Sequence, residues 1–210
     1  MKILAYGRTE KGDSHIENED SILVDQERNL YAVADGVTLP HGGRKASRRT
    51  IEYLGSLFDG DLEKTVETLN EKLLLERQKD PWMGTTTLTV AHVRDDELLV
   101  VHIGDSSAYK ISAGKIKRIT QPDNVPGTHM LIQIIGQSEL VPHSYKEKIS
   151  PGDFVVLATD GVTDAVSDEE LAATIRKVGD VKTIVDEVFS KVDRKPRLYK
   201  DDKSMIVISV

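Results

Sequence analysis

Five acidic positions in this chain stand at the ends of apolar runs beside turn-forming residues. Asp20 follows Asn18–Glu19, Asp35 precedes Gly36, Asp105 follows Gly104, Asp160 precedes Gly161, and Asp201–Asp202 lead into the last apolar run. The stretches YAVADGV (31–37) and FVVLATDGVTD (154–164) both end an apolar run on Asp–Gly–Val, 125 residues apart. Asp and Gly are ordinary turn formers, so each position alone reads as a turn. Together they allow a second reading. If antiparallel strands bring these ends to one edge, four or five carboxylates meet, and such a cluster is stable only with cations or protons present. Hard oxygen donors without Cys or His select Mg²⁺ or Mn²⁺ over zinc. The glycines fit the same reading, because they permit close backbone approach and leave a carbonyl accessible as a ligand.

The elements that must position these residues are legible in outline. Asp20–Val24 and Leu30–Ala34 flank a polar turn and read as a hairpin. Ile51, Leu54 and Phe58 are at helical spacing within 44–58. Leu62, Val66, Leu69 and Leu73 predict a helix that Asp61 caps and that ends near Asp80–Pro81. TTTLTVAHV (85–93) and ELLVVHIGD (97–105) predict strands joined by a turn at Asp95–Asp96, and AYKI, SAGK and IKRI (108–119) a further hairpin. A strand over 153–159 follows Pro151–Gly152. Ser167 and Glu170 form a capping box ahead of a helix that Gly179 stops. A second helix carries Val181 to Val192, and SMIVISV (204–210) closes the chain. Strands in hairpins and helices in pairs predict an α+β fold rather than βαβ alternation.

Composition narrows the function classes. One domain over 1–210 is the expectation at this length, with a sizeable core. There is no cysteine, which removes disulfides, thiolate metal sites and a thiol nucleophile, and favours a cytoplasmic setting. No signal peptide or membrane span is expected. The balance of 28 basic against 35 acidic residues, net −7, argues against nucleic-acid binding. The densest basic cluster, RKASRR (44–49), reads either as a solvated helix face or as a phosphate-seeking patch.

Six segments in order resemble the metal-dependent protein phosphatases of the PPM type (type 2C), over nearly the whole chain. They are Asn18–Glu19–Asp20; VADGV (33–37) with Gly42–Gly43 and Ala46–Ser47; Gly84–Thr85–Thr86; HIGDSSAY (102–109); LATDGVTDAVSDEE (157–170); and Asp201–Asp202–Lys203–Ser204. The resemblance implies a four-layer α-β-β-α sandwich with two antiparallel sheets flanked by helix pairs, and a compact prokaryotic type of member. It implies two Mn²⁺ or Mg²⁺ ions, with a third possible, and a bridging water or hydroxide that attacks in line without a phosphoenzyme. On that template Asp35 bridges the ions, the Gly36 carbonyl binds one, and Asp160 and Asp201 bind the other. Asp20 orients a water, and Asp105 with Asp160 holds a third ion. Asp35, Asp160 and Asp201 are then the catalytic set. Phosphorylated proteins or peptides, products of serine/threonine kinases, are the implied partners of a monomer.

Departures from the pattern qualify this. His15 stands where the family has a phosphate-gripping arginine, and it lacks the bidentate fork. Arg8, Lys11 or Arg44 are the candidates to supply that grip beside His15. Val37 stands where some relatives carry a histidine acid, leaving His41 either as a substitute or as a solvent-exposed loop residue. Ser107 replaces the arginine of G-D-S-R, and Asp202 an asparagine. The segment 120–144 is short where the family has a longer flap, with Met130–Gly136 expected to pair as a strand. A phosphatase-fold regulatory or phosphopeptide-binding module is the alternative function, and a domain with scattered Asp turns a third.

Overall fold

In the computed structural model the residues described are 2–13, 15–38, 41–128, 130–196 and 200–210. Alternation of apolar residues decides the architecture. In β11 (Phe154–Ala158), Val155 and Leu157 point to one face, Val156 and Ala158 to the other, and all four are buried. The same holds in β12 (Lys203–Ser209), where Ile206 and Ile208 oppose Met205 and Val207. A strand buried on both faces needs cover on both faces.

That cover produces four layers. One antiparallel sheet has the order β1 (Leu4–Glu10), β12, β11, β8 (Ser107–Ser112), β9 (Lys115–Arg118). The second has the order β10 (His143–Lys148), β7 (Glu97–Ile103), β6 (Leu88–Arg94), β3 (Leu30–Ala34), β2 (Ser21–Asp25). Tyr31, Val33, Val100, Leu157 and Ile206 belong to the cluster between the sheets. Helices α4 (Asp168–Val178) and α5 (Val181–Arg194) cover the first sheet through Leu171, Ile175, Val188 and Phe189. Helices α1 (Gly43–Leu57) and α2 (Leu62–Lys79) cover the second through Leu54, Val66, Leu69 and Leu73. This is the α+β sandwich with flanking helix pairs that the resemblance implies. No described helix is long and apolar enough to cross a membrane.

The helix ends follow local chemistry. Asp61 accepts the Lys64 amide at the start of α2 (3.1 Å). Ser167 and Glu170 form the reciprocal capping box of α4, and Gly179 closes it at φ +74°.

Two expectations need correction. Met130–Gly136 is no strand. Bridges at Asn124–Leu131 and Thr86–Ile135 tie it down, Met130 and Ile132 are exposed, and Gly136 turns at φ +97°. The strand of this region is β10 instead, whose alternating exposure reflects its place at a sheet edge. TTTLTVAHV is not continuous: it divides into β5 (Thr85–Thr86), which pairs with β4 (Gly36–Val37), and β6, with Thr87 between them. The N-terminal strand β1 was not foreseen, because its GRTE half lacks apolar alternation and it pairs on one side only, with β12.

Candidate metal centre

Backbone fixes the acidic residues before any side chain does. Asp35 leaves β3 and is held by both residues at the break in the next strand. Thr87 N donates to the Asp35 carbonyl (2.8 Å), Asp35 N donates to Thr87 Oγ1 (3.0 Å), and Thr86 Oγ1 donates to the same carbonyl (2.7 Å). A Cβ on Gly36 would collide with the Gly43 backbone, and one on Gly161 with the Asp202 carbonyl oxygen, so glycine is required at both turns. Asp160 does not simply turn away from β11. It is the first residue of a four-residue helix, α3 (Asp160–Thr163), with Thr159 as N-cap. Thr159 Oγ1 donates to Asp20 Oδ2 (2.9 Å) and accepts Ser204 N (3.0 Å), which joins three remote segments.

The strand-end carboxylates lie near enough for their charges to act on one another. Among the described residues, the one group of three or more with donor atoms within 4.8 Å of one another is His15, Asp201 and Asp202. Burial is the first cause that raises Asp35 well above the usual carboxylate range, and the charges of Asp20, Asp160, Asp201 and Asp105 add to it. Asp20 is pushed up to about 8, first by burial and further by Asp202 and Asp160, against opposing hydrogen bonds from Ser204 and Thr159. Asp160 is pushed up to about 7 by burial, then by Asp105, Asp201 and Asp164. Asp105 follows Gly104 at φ +97° and accepts Asn124 Nδ2 (3.4 Å). Two carboxylate oxygens, Asp20 Oδ1 and Asp160 Oδ1, are buried without a hydrogen-bond partner. Buried carboxylates that repel one another and hold orphaned lone pairs are what divalent cations neutralise. The donor set therefore fits Mg²⁺ or Mn²⁺.

One element of the site was not singled out from the sequence as a fastener. Asp202 is 3% exposed and accepts Gly12 N (2.7 Å) and Glu19 N (2.7 Å), which binds the N-terminal loop to the last strand. Glu19 is buried beside it and accepts Thr38 Oγ1. Polar residues at the ends of apolar strands, Thr87 and Thr159 among them, were the signal available.

The phosphate-binding candidates divide. His15 lies beside the residues that lead into β12, with Nδ1 3.2 Å from Asp202 Oδ2 and 3.6 Å from Asp201 Oδ1. Its nitrogens and these carboxylates offer donor atoms within 4.8 Å of one another. Arg44, in the first turn of α1, pairs with Glu17 and lines a cavity of about 290 Å³ with Glu17, Glu19, Gly42, Lys45 and Arg48. The structure does not bring Arg8 to this site. Its guanidinium pairs with Glu10 and Asp186 (2.8 Å to the latter) and lies 5.0 Å from the Phe189 ring, under α5. Lys11 is occupied by the Gly12 and His15 carbonyls (2.9 and 3.0 Å). His41 is exposed and stacks against Trp82 (ring centroids 4.8 Å apart). The arginine absent at 107 is met from across the hairpin: Arg118 Nη2 donates to Ser107 Oγ (2.7 Å). Arg118 also lines a cavity of about 200 Å³ with Asp105 and Asp160.

Comparison with known proteins bears on this geometry. The family model "Protein phosphatase 2C" matches residues 11–199. The serine/threonine protein phosphatase PstP of Mycobacterium tuberculosis is 28% identical over 204 residues, covering 83% of this chain and 39% of PstP. The chain thus spans about two-fifths of that relative's length. Protein phosphatase PhpP of Streptococcus pneumoniae is 24% identical over 200 residues, covering 78% of this chain and 80% of PhpP. Among solved structures, the catalytic domain of PstP in complex with two manganese ions superposes with a TM-score of 0.87 at 24% identity, over 99% of this chain and 97% of that one. Serine/threonine phosphatase Stp1 from Staphylococcus aureus superposes at 0.89 and 21% identity, over 100% and 96%. These likenesses establish the fold.

Proposed function

Because the chain belongs to the protein phosphatase 2C family, we propose that it hydrolyses phosphoserine and phosphothreonine esters in proteins with Mn²⁺ or Mg²⁺. The observation that carries this reading is the set of five strand-end carboxylates whose charges act on one another, two with buried oxygens that lack a partner. Divalent ions held by these carboxylates, two in the core and a third beside Asp105, would supply Lewis acidity toward the phosphoryl oxygens and would lower the pKa of the attacking water.

The chain's own residues do the rest. Asp35, whose charge interacts with those of the other four carboxylates, would hold the ions together with the Gly36 carbonyl as a neutral ligand. Asp160 and Asp201 would complete the ligand set, and Asp20, to which Thr159 Oγ1 donates, would orient water. Asp105 with Asp160 offers a looser outer position. His15 and Arg44 face the substrate phosphate at the rim. The name of PstP as a serine/threonine protein phosphatase supports this choice of substrate, and a kinase-phosphorylated protein is the partner it implies.

A second reading, a phosphopeptide-binding module with little turnover, draws on one observation. The imidazole of His15 is taken up by Asp201 and Asp202, whereas an arginine there would offer a fork to phosphate. Hydrolysis of an aryl phosphate and of a phosphothreonine peptide, with and without Mn²⁺, separates the two. Metal-dependent turnover that Asp35→Asn abolishes is the expected result. Turnover indifferent to metal and to Asp35→Asn overturns the phosphatase reading, and tight peptide binding without turnover favours the module.

A further inference from the structure

The chain has one tryptophan, and it is 65% exposed. Its backbone is nonetheless rigidly placed. Trp82 N donates to Asp80 Oδ1 (2.9 Å) and Met83 N to the Asp80 carbonyl (3.0 Å), at the C-terminal cap of α2. The next residue but one, Gly84, donates to the Gly42 carbonyl (3.3 Å). The turn at Gly42, φ +85°, leaves no room for a side chain against the Trp82 carbonyl. A Cβ on Gly84 would strike the His41 and Gly42 backbone, and one on Gly43 the Gly36 backbone. Three segments, 82–84, 41–43 and 35–37, are therefore packed backbone on backbone. They fix the Trp82 backbone relative to Asp35 and Gly36 of the metal centre.

A large apolar side chain held outward by a rigid turn is what recognition surfaces use, because it offers contact area at small cost in conformational entropy. His41 stacks on one side of the indole. Gly42, packed against the Trp82 carbonyl, lines the cavity of about 290 Å³ together with Arg44 and Glu19. A phosphorylated chain with its phosphate at Arg44 would lie against Gly42, which lines the same cavity.

We propose that Trp82, backed by His41, is a platform for an apolar side chain flanking the phosphorylated residue of a protein substrate. The proposal rests on the phosphatase reading for the identity of its occupant. It makes the chain selective for peptides with a leucine-sized or aromatic residue beside the phosphate, where a small aryl phosphate gains nothing from Trp82. Arg44 and Lys45 along the same edge suit the peptide's carbonyl groups.

The test reads binding without turnover. Two peptides carry a nonhydrolysable phosphonate in place of phosphoserine, one flanked by leucines and one by glycines. Each is titrated into Mn²⁺-loaded protein while the emission of the lone tryptophan is followed. The leucine-flanked peptide should shift the emission to the blue and bind about tenfold more tightly, the scale of one interface anchor. Affinities of the variants, which lack the fluorophore, are read by calorimetry beside the wild type: Trp82→Ala should erase that preference and Trp82→Phe should keep most of it. Equal affinities in the wild type, or a preference that survives Trp82→Ala, overturns the proposal. So does an emission that responds only to protein concentration, which would show a second copy covering the indole. Should hydrolysis fail altogether, the phosphatase reading falls while this binding result still stands or falls by itself.

Discussion

The two Asp–Gly–Val turns share three residues and little else. After Asp35 the backbone stays extended: Gly36–Val37 pairs with Thr85–Thr86, and α1 starts only at Gly43. After Asp160 the backbone coils at once into α3. Both glycines are forced by a neighbouring backbone, Gly43 in one case and Asp202 in the other. The holding groups differ too. Thr86 and Thr87 grip the Asp35 main chain, whereas Thr159, the residue before Asp160, reaches away to Asp20. An identical tripeptide thus serves two geometries, and what distinguishes them is the threonine partner. The extended turn is the one whose backbone carbonyl, that of Gly36, is proposed as a ligand. The helical turn commits its Asp160 carbonyl to the Asp164 amide (2.8 Å) and leaves only the carboxylate.

The largest break in this comparison is expected from the carboxylates themselves. If Asp35 bridges the ions and Asp160 serves one side, Asp35→Asn should lower kcat/KM about a thousandfold or more, from the loss of several kcal/mol of charge stabilisation. Asp160→Asn should cost less and be partly recovered by raising Mn²⁺. Steady-state kinetics across a Mn²⁺ series measures both. Equal losses with equal metal rescue would make the two turns equivalent and remove the bridging assignment.

The threonines come next. Thr87→Val removes the acceptor for Asp35 N and should weaken Mn²⁺ binding about 10- to 100-fold, the range for groups that orient metal ligands. Thr159→Val acts on Asp20 and the Ser204 amide, so it should weaken metal binding less and lower Tm more. Calorimetric Mn²⁺ titration beside thermal melts reads both quantities. A Thr159→Val protein that loses more metal affinity than Thr87→Val would reverse the order.

A smaller effect, in degrees of Tm, follows from the raised carboxyls. Folding gives Asp20 a pKa of about 8 and Asp160 about 7, against 3.8 when unfolded. Between these values the folded state holds protons that the unfolded state has released, so metal-free stability falls as pH rises from about 4 to about 8. In EDTA, Tm should be higher at pH 5 than at pH 8. Mn²⁺ should restore Tm mainly at pH 8, and Asp20→Asn should flatten the metal-free slope. A metal-free Tm that rises toward pH 8 contradicts the carboxylate cluster as described.

How far these turns could be read from the sequence depends on the range of the interactions that hold them. β3 and β11 were legible because burial on both faces leaves near-continuous apolar runs, and Asp61 and Ser167 because a cap is satisfied within three residues. The five acidic strand ends were legible as a set, through their shared pattern. Thr87 was not. Its role is a contact 52 residues away in sequence, and a threonine inside TTTLTV looks like any β-former. Met130–Gly136 misled for the opposite reason. Its apolar residues suggest a strand, but only Ile135 is buried, and Asn70 of α2 binds the Gly136 amide (2.7 Å). The face on which Arg8 emerges was likewise set by β1 pairing with β12 and by α5 above it, neither of which β1's own residues announce.

The smallest expected effect separates the helices that accompany the two turns. The Asp35 turn leads to α1, whose first turn presents Arg44 to the rim through a single exposed ion pair with Glu17. The Asp160 side is roofed by α4 and α5, and Arg8 lies beneath α5 between Glu10 and Asp186. Phosphate can compete for Arg44 by displacing one surface carboxylate, an exchange with little net cost because exposed ion pairs contribute about 0–1 kcal/mol. It cannot compete for Arg8 without opening the contact with Phe189. Arg44→Ala should therefore raise KM for a phosphopeptide about threefold to tenfold, one charge-assisted hydrogen bond at a wet rim. Arg8→Ala should change KM less than about twofold and lower stability by about 1 kcal/mol or less. Michaelis constants for both variants, with melts as the control, decide it. A larger rise in KM for Arg8→Ala at unchanged Tm would mean that α5 lifts during substrate binding and that the helical side of the site is the mobile one.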